Sequence, residues 1–273
     1  MIDAKIIADS VNEAGNRLTT FELTYPRFIH GEVMTHRVFS RNAMSSRAVP
    51  VKRMLAQVWS SPAMPVHWGK NQPGMQAKAE LAGWRLWGVQ ALWRFSGKLN
   101  CAVAWAMDKL GAHKQIVNRR LEPDQWMKTI LTATEWDNFY ELRDHEDAQP
   151  EFQVLARKMR EAHEASEPDL LKEGEWHLPY MTGEEEVACT VFGNGADDSY
   201  LQKASAARCA RVSFLTHDGQ VPHMTKDLGL FERLAGSRPL HASPLEHHGT
   251  PGTSNCGNFV GWTQFRKLWE KQV

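Results

Sequence analysis

Residues 17–47, RLTTFELTYPRFIHGEVMTHRVFSRNAMSSR, contain the stretch that decides the fold. Its first part, residues 17–29, alternates apolar and polar side chains and is rich in Thr, Phe, Tyr and Ile. That pattern predicts a β-strand, with Pro26 at its edge or at a break. Residues 35–53, which follow, are basic and dense in Ser and Asn. Their composition predicts an exposed segment after the strand.

The basic character extends well beyond this segment. The whole chain balances 32 Lys and Arg against 32 Asp and Glu, yet residues 33–107 contain ten bases and Glu80 as their single acid. A neutral chain with one basic segment favours a local anion site over a surface for long nucleic acid. The alternative, that most of these bases simply face water, stays open at this point.

Residues 35–47, THRVFSRNAMSSR, concentrate groups that bind phosphate: three guanidiniums, an imidazole, hydroxyls and an amide. Guanidiniums grip phosphate with two parallel hydrogen bonds, and Ser or Asn side chains with nearby backbone N–H groups complete such a cradle. The segment therefore indicates an anion site, and a solvated basic turn is the competing interpretation.

Periodicity along the rest of the chain predicts one strand and several helices. Leu81, Trp84, Leu92 and Phe95 fall on one broad helical face, which we expect to pack in the core. The predicted strand covers residues 127–133, and the predicted helices cover 76–110 with a break near Gly97, 134–143, 149–165, 199–212 and 225–234. The mixture predicts the α+β class, with residues 1–273 as one domain.

Several classes of protein are disfavoured. The first ten residues lack the apolar core of a signal peptide, and no run approaches the roughly 20 apolar residues that span a bilayer. Cys101, Cys189, Cys209 and Cys256 form no CxxC pair, so we expect reduced thiols in a cytoplasmic protein without a bound metal. The arginines beside Cys209 raise a weaker alternative, a thiol of lowered pKa.

A resemblance to a known family starts from residues 35–47. They resemble the signature of flavin-dependent thymidylate synthases, which runs Arg-His-Arg, then Ser, Asn-Glu, Ser and Arg-Tyr. The matching residues are His36, Arg37, Ser40, Asn42, Ser45 and Arg47. Thr35, Ala43 and Ala48 depart from the signature, and the loss of an acid at Ala43 puts the orientation of a bound nucleotide in doubt.

Two further blocks are similar to the same family. Residues 138–143, NFYELR, with 148–151, AQPE, resemble its helix ending in Leu-Arg and the helix after it. Residues 210–213, ARVS, 227–230, DLGL, and 241–247, HASPLEH, resemble a section that precedes the signature in the family but follows it here. The resemblance therefore covers most of the chain in circularly permuted order.

The resemblance implies a thymidylate synthase-like fold, a central, mostly antiparallel sheet with long helices. It also implies FAD as cofactor, methylenetetrahydrofolate and NADPH as co-substrates, dUMP or a related pyrimidine nucleotide as substrate, and a homotetramer with shared sites. The implied flavin-side residues are His36, Arg37, Val38, Asn42, His241, Ser243 and Glu246. The implied nucleotide-side residues are Ser45, Ser46, Arg47 and Arg143, of which Ser45, Arg47 and Arg143 would be catalytic; Gln264 is a further candidate for a missing amide.

The implied reaction is reductive methylation of dUMP. A related flavin enzyme that leaves a hydroxymethyl group on the pyrimidine, or accepts another nucleotide, is the nearest alternative because of Thr35 and Ala43. An alternative from another class is a nucleic-acid-binding module that uses the basic segment, which predicts salt-sensitive binding and no flavin. The resemblance itself implies neither a membrane nor a nucleic acid as partner.

Overall fold

Five strands form the central sheet of the computed structural model, which describes residues 1–185, 199–213, 220–221 and 223–272. The order across the sheet is β3 (Ser40–Ala43), β4 (Trp126–Ala133), β2 (Arg17–Pro26), β1 (Asp3–Asn12) and β5 (Asp169–Leu171). Neighbouring strands pair antiparallel except β1 and β5, which are parallel. The expected mixture of helices with a mostly antiparallel sheet is confirmed.

Helices and a small second sheet complete the described chain. The helices are α1 (His30–Val33), α2 (Val51–Ser60), α3 (Gly83–Lys109), α4 (Lys114–Val117), α5 (Asp137–Arg143), α6 (Pro150–Ala165), α7 (Tyr200–Arg211), α8 (Met224–Leu234) and α9 (Phe265–Trp269). β6 (Gly249–Pro251) pairs with β7 (Trp262–Gln264) in the second sheet. Two segments used below, Asn118–Asp124 and Ser243–His247, are 3-10 helices. Among the described helices none is both long and apolar enough for a membrane span.

The predicted strand at 127–133 and the predicted helix at 149–165 are confirmed as β4 and α6. The strand predicted over 17–29 ends at Pro26, where a 3-10 turn begins. β1 and β5 were not predicted, and β3 lies inside the segment expected to be exposed. That segment enters the sheet because β3 pairs with β4 along all four residues, which satisfies the backbone groups of β3 that face β4. Residues 166–198 are acidic and interrupted by Pro and Gly, which predicts a connecting segment; part of it lies outside the described residues.

The two faces of the sheet differ in chemistry. Phe21, Leu23 and Tyr25 alternate along β2 and pack with α5 and α6 in the largest apolar cluster, where Phe139 and Phe152 meet them. The period of two in a strand places these residues on one face. Residues of the opposite face lie under α7 and the 3-10 segment Ser243–His247, and several of them are polar.

Helix α3 differs from expectation in three respects, the first of which is that it begins at Gly83 and not at residue 76. It is unbroken at Gly97, whose missing side chain lets the helix approach Asp124, since a Cβ there would lie 3.2 Å from Asp124 Oδ1. The prediction that the face with Trp84, Leu92 and Phe95 packs in the core is wrong, because these side chains are 78%, 69% and 64% exposed. The opposite face, with Cys101 and Ala104, packs against α2 instead.

A chain of hydrogen-bonded side chains crosses the polar face of the sheet. Thr20 Oγ1 lies 2.7 Å from Thr132 Oγ1 and 2.8 Å from His177 Nε2, and His177 Nδ1 lies 2.9 Å from Ser10 Oγ. At the other end Thr132 Oγ1 lies 2.7 Å from His247 Nδ1. Burial lowers the pKa of His177 and of His247 to about 3, and the proximity of His177 lowers the pKa of His247 further. Both rings are therefore neutral in the folded protein.

These two histidines predict a loss of stability in mild acid. Their pKa values are lowered on folding, so only the unfolded chain takes up their protons between pH 6.5 and about 3. We expect the free energy of unfolding, measured with urea, to fall by about 2 kcal/mol per histidine between pH 7 and pH 5. The variant His177→Gln should lose part of this pH dependence whatever its absolute stability. Unfolding that is independent of pH over this range would contradict the buried, neutral state of both rings.

Candidate functional site

A cavity of about 410 Å³ opens where the segment before β3 meets the end of the chain. Its walls combine residues that lie more than 200 positions apart in the sequence. They are Arg37, Phe39, Arg41, Glu246, Gly257, Asn258, Gln264, Arg266 and Lys267. Of the residues implied by the family resemblance, Arg37, Glu246 and Gln264 are thus brought together.

Hydrogen bonds fix the wall that carries Arg37. Arg41 Nη1 donates to the carbonyl oxygens of Met34 and His36, which ties the turn before β3 together. Asn258 Nδ2 donates to the Val38 carbonyl at 2.8 Å, so the end of the chain holds the same turn from the other side. Arg41 is thus partly structural, whereas Arg37 is exposed and makes no ion pair within the described ranges.

The opposite wall is formed around Gln264. Its Nε2 donates to Asn258 Oδ1 at 2.9 Å, to the Glu246 carbonyl at 3.2 Å and to Ser40 Oγ at 3.4 Å. Gly257 has a φ of +66°, and a Cβ at this position would lie 2.7 Å from Gln264 Oε1. A residue with a side chain is disfavoured there by both the left-handed backbone and the close approach.

The electrostatic character of the cavity is cationic. Arg37, Arg41, Arg266 and Lys267 face a single carboxylate on its wall, Glu246. Arg266 forms ion pairs with both Glu246 and Glu270. Because the cations outnumber the acids on the wall, the cavity suits an anionic group, and the guanidiniums and amides match the donors that phosphate oxygens accept.

Two further predicted residues, His36 and Arg143, contact each other outside the cavity wall. Arg143 Nε donates to His36 Nε2 at 2.8 Å, and its guanidinium lies 4.9 Å from the centre of the Phe152 ring. The imidazole packs against Phe39 and Phe139. Burial, followed by the charge of Arg143, lowers the pKa of His36, so the ring accepts through Nε2 and is neutral. The structure thus joins the signature segment to the end of α5.

The predicted nucleotide-binding turn lies beyond the other end of β3. Ser46 is buried, and its Oγ donates to Glu122 Oε1 at 2.9 Å. Arg27 and Arg119 approach the same oxygen at 3.1 and 2.9 Å. Ser45 and Arg47 are exposed, and Arg47 forms no ion pair with any described residue. Glu122 was not singled out from the sequence, where its position shortly after Arg119 and Arg120 was the only signal for it.

The remaining predicted residues are dispersed. His241 and Ser243 are exposed and do not line the cavity, although they lie close to Glu246 in sequence. Val38 is half exposed, and Asn42 Nδ2 donates to the Cys209 carbonyl at 3.3 Å. Within the part of the chain that the structure describes, no hydrogen bond or ion pair joins Arg47, Arg143 and His241. The wall of the cavity described above includes Arg37, Glu246 and Gln264 but not the other predicted site residues.

Sequence reasoning assigned no role to three residues of the cavity wall, Asn258, Arg266 and Lys267, and it included Arg41 only among the guanidiniums of the anion site. The signal existed, since Arg41 lies in the signature segment and the other three lie in residues 257–267, GNFVGWTQFRK. The alternative of a reactive Cys209 is wrong, because the thiol is buried and burial raises its pKa despite the neighbouring arginines.

The His36–Arg143 contact gives a direct prediction. Replacing Arg143 by Gln should raise the pKa of His36 toward its ordinary value while burial still holds it below 6.5, because one of the two causes of the shift is removed. NMR titration of the His36 ring protons measures this. Arg94→Gln, which removes an exposed cation of α3, is the matched control. An unchanged titration of His36 in Arg143→Gln would show that the contact is absent in solution.

Comparison with known proteins concerns the fold. No protein-family model matches the sequence, and no curated protein sequence matches it. The structure is similar to that of a UMP/dUMP methylase, PolB from Streptomyces cacaoi, bound with 5-Br UMP, with a TM-score of 0.50 and 15% identity over 60% of this chain and 88% of that one. Thymidylate Synthase X from Helicobacter pylori, solved with FAD and dUMP, gives a TM-score of 0.40 and 14% identity over 54% of this chain and 67% of that one. The chain thus has a fold similar to that of the pyrimidine nucleotide methylase.

Proposed function

We propose that this protein is a flavin-dependent enzyme that modifies a pyrimidine nucleotide, and that its reaction is reductive methylation of dUMP. The cationic cavity carries the proposal. It joins Arg37 of the signature segment with Glu246 and Gln264 from the other end of the chain, three residues that the family resemblance implies for flavin and nucleotide. The similar fold of a UMP/dUMP methylase supports a pyrimidine nucleotide as the substrate.

The cavity residues fit the phosphates of FAD. Arg37, Arg266 and Lys267 supply the positive charge that the phosphates require. When bound, the flavin supplies hydride transfer. Asn258 and Gln264 would hold the cavity in shape, since Asn258 donates to the Val38 carbonyl before β3 and Gln264 donates to Asn258 Oδ1 and to Ser40 Oγ.

The nucleotide is assigned to Ser45, Ser46, Arg47 and Arg143. Uracil C5 is a weak nucleophile unless negative charge on the ring oxygens is stabilised, and Arg47 and Arg143 would stabilise it from fixed positions. Methylenetetrahydrofolate would supply the methylene group and NADPH the reducing equivalents. Since one chain leaves these residues apart from the cavity, the proposal includes a homotetramer in which subunits complete one another's sites.

The environment of Ala43, which stands where the family signature has Glu, bears on how a nucleotide would be oriented. Ala43 ends β3, is half-buried and packs against the largest apolar cluster, so a carboxylate at this position would be partly desolvated. The orientation of the pyrimidine ring would therefore depend on other groups, and Gln264, whose amide is fixed on the cavity wall, is the residue we propose for it.

Flavin binding tests the cavity. We expect the purified protein, reconstituted with FAD, to show an absorption band near about 450 nm, as oxidised flavins do. Arg37→Gln should weaken FAD binding about 10- to 100-fold, the scale of one charge-assisted hydrogen bond to phosphate. Fluorescence titration measures the dissociation constants. Arg85→Gln, an exposed arginine of α3 outside the cavity, should bind FAD as the parent does. A protein that takes up no FAD would overturn the proposal.

Nucleotide binding tests the turn after β3. Arg47→Ala should weaken dUMP binding by about 2–4 kcal/mol, the scale for losing a charge-assisted contact. Calorimetric titration of the FAD-bound protein measures it, and Lys52→Ala, which removes an exposed cation of the neighbouring helix α2, serves as the control for a lost charge. Mass spectrometry of the product with labelled folate then identifies the reaction. A product heavier than thymidylate by one oxygen would replace methylation by hydroxymethylation, and wild-type turnover in Arg47→Ala would show that the residue has another role.

A further inference from the structure

The outward face of α3 is apolar along its whole length. Six large side chains on it are exposed, from 54% for Leu99 to 78% for Trp84. The four aromatic rings among them, Trp84, Trp87, Phe95 and Trp105, leave about 500 Å² of apolar surface in water. Patches larger than a few hundred Å² usually mark an interface. Together with the leucines and alanines, the face approaches the roughly 800 Å² that each partner buries in a stable complex.

The spacing of the face indicates a helix as its partner. Positions 88, 92, 95, 99, 102 and 106 follow one another at intervals of four and three, a repeat of 3.5 residues that is typical of a seam between two helices. The residues at these positions are Gly88, Leu92, Phe95, Leu99, Ala102 and Ala106. Small residues at both ends permit a close approach, and the large ones lie in the middle.

The seam is complementary to itself. We propose that α3 pairs with α3 of a second copy of this chain, antiparallel and about a two-fold axis level with residue 97. This register sets Leu92 against the partner's Ala102, Phe95 against the partner's Leu99, and Gly88 against the partner's Ala106. Each of these contacts occurs twice in the pair, because both subunits contribute the same patch to the interface.

An apolar cavity beside the seam supports the same register. It lies between α2 and α3, has a volume of about 430 Å³, and its lining includes Trp59, Ala102 and Trp105. Trp87 and Trp105 are five helical turns apart, so they project from the same side of α3. In the antiparallel pair, Trp87 of one copy lies level with Met107 of the other, next to Trp105 and this cavity. The partner's ring therefore has an apolar recess to fill.

The charges of α3 separate this proposal from two others. Within Gly83–Lys109 four bases accompany one acid, Asp108, and Lys98 Nζ lies 5.4 Å from the centre of the Trp59 ring. Two copies bring like charges together, so added salt strengthens the pair by screening their repulsion. Binding to an anionic lipid surface or to a nucleic acid has the opposite dependence and weakens with salt. The lipid and nucleic-acid alternatives do not account for the 3.5-residue repeat.

Sedimentation of the full chain tests the pairing. We expect Phe95→Glu to raise the dissociation constant of the assembly at least about 100-fold, because it places a charge in the seam. Ser96→Glu adds the same charge at an exposed position off the seam and should leave the assembly unchanged. The wild-type assembly should tighten between about 50 and about 500 mM NaCl. Identical sedimentation of the wild type and Phe95→Glu overturns the proposal, as does salt-sensitive binding of a monomeric wild type to phosphatidylserine vesicles or to DNA.

Cross-linking tests the register independently of the effect of a new charge. In a background with Cys189 and Cys256 changed to Ser, Leu92→Cys combined with Ala102→Cys should form a covalent dimer under mild oxidation. Leu92→Cys alone should not, because the two copies of position 92 lie about 15 Å apart in the antiparallel pair, beyond disulfide reach. A covalent dimer from Leu92→Cys alone would show a parallel pair, and no cross-link from the double variant would exclude the register.

Discussion

The hydrogen bond between Thr20 and Thr132 is the constraint on which the segments packed on the polar face of the sheet depend. The two hydroxyls lie opposite each other on β2 and β4, 2.7 Å apart and fully buried. Burying hydroxyl groups is costly unless their hydrogen bonds are satisfied, so the segments packed on the polar face of the sheet must supply polar partners. His177 and His247 are those partners. Because His247 is anchored there, the adjacent Glu246 is held at the wall of the cationic cavity.

The sequence predicted those parts of the fold whose local pattern agrees with their tertiary environment. β2 and β4 alternate or are β-branched, and α6 has apolar residues at helical spacing with a proline at its start, so local and global preferences coincide. β1 was missed because DAKIIADSVN shows no such alternation, and its pairing with β2 decides its conformation. β3 was missed because its side chains are polar or small, although its backbone is needed to complete the edge of the sheet beside β4.

Helix α3 shows a different limit of sequence reasoning. Apolar residues lie on two faces of this helix, and the periodicity of the sequence does not identify which face packs in the core. The structure gives the inner position to Gly97, Cys101 and Ala104, because small residues allow close contact with α2 and with the 3-10 segment Asn118–Asp124. The tryptophans are left outside. For the candidate site the limit is similar: residue types indicated an anion site, but only the folded chain shows that Arg266 and Lys267 join Arg37 around it.

The geometry of β3 explains why the proposed function involves two bound molecules. Arg37 precedes this strand and lines the cationic cavity, whereas Ser45, Ser46 and Arg47 follow it, with Ser46 turned toward Glu122. A four-residue strand separates its two ends by about 10 Å. One phosphate group cannot contact donors on both sides of such a strand. A flavin at the cavity and a nucleotide at the turn would each use one end, and β3, fixed by its pairing with β4, would hold the two sets of donors at a constant separation.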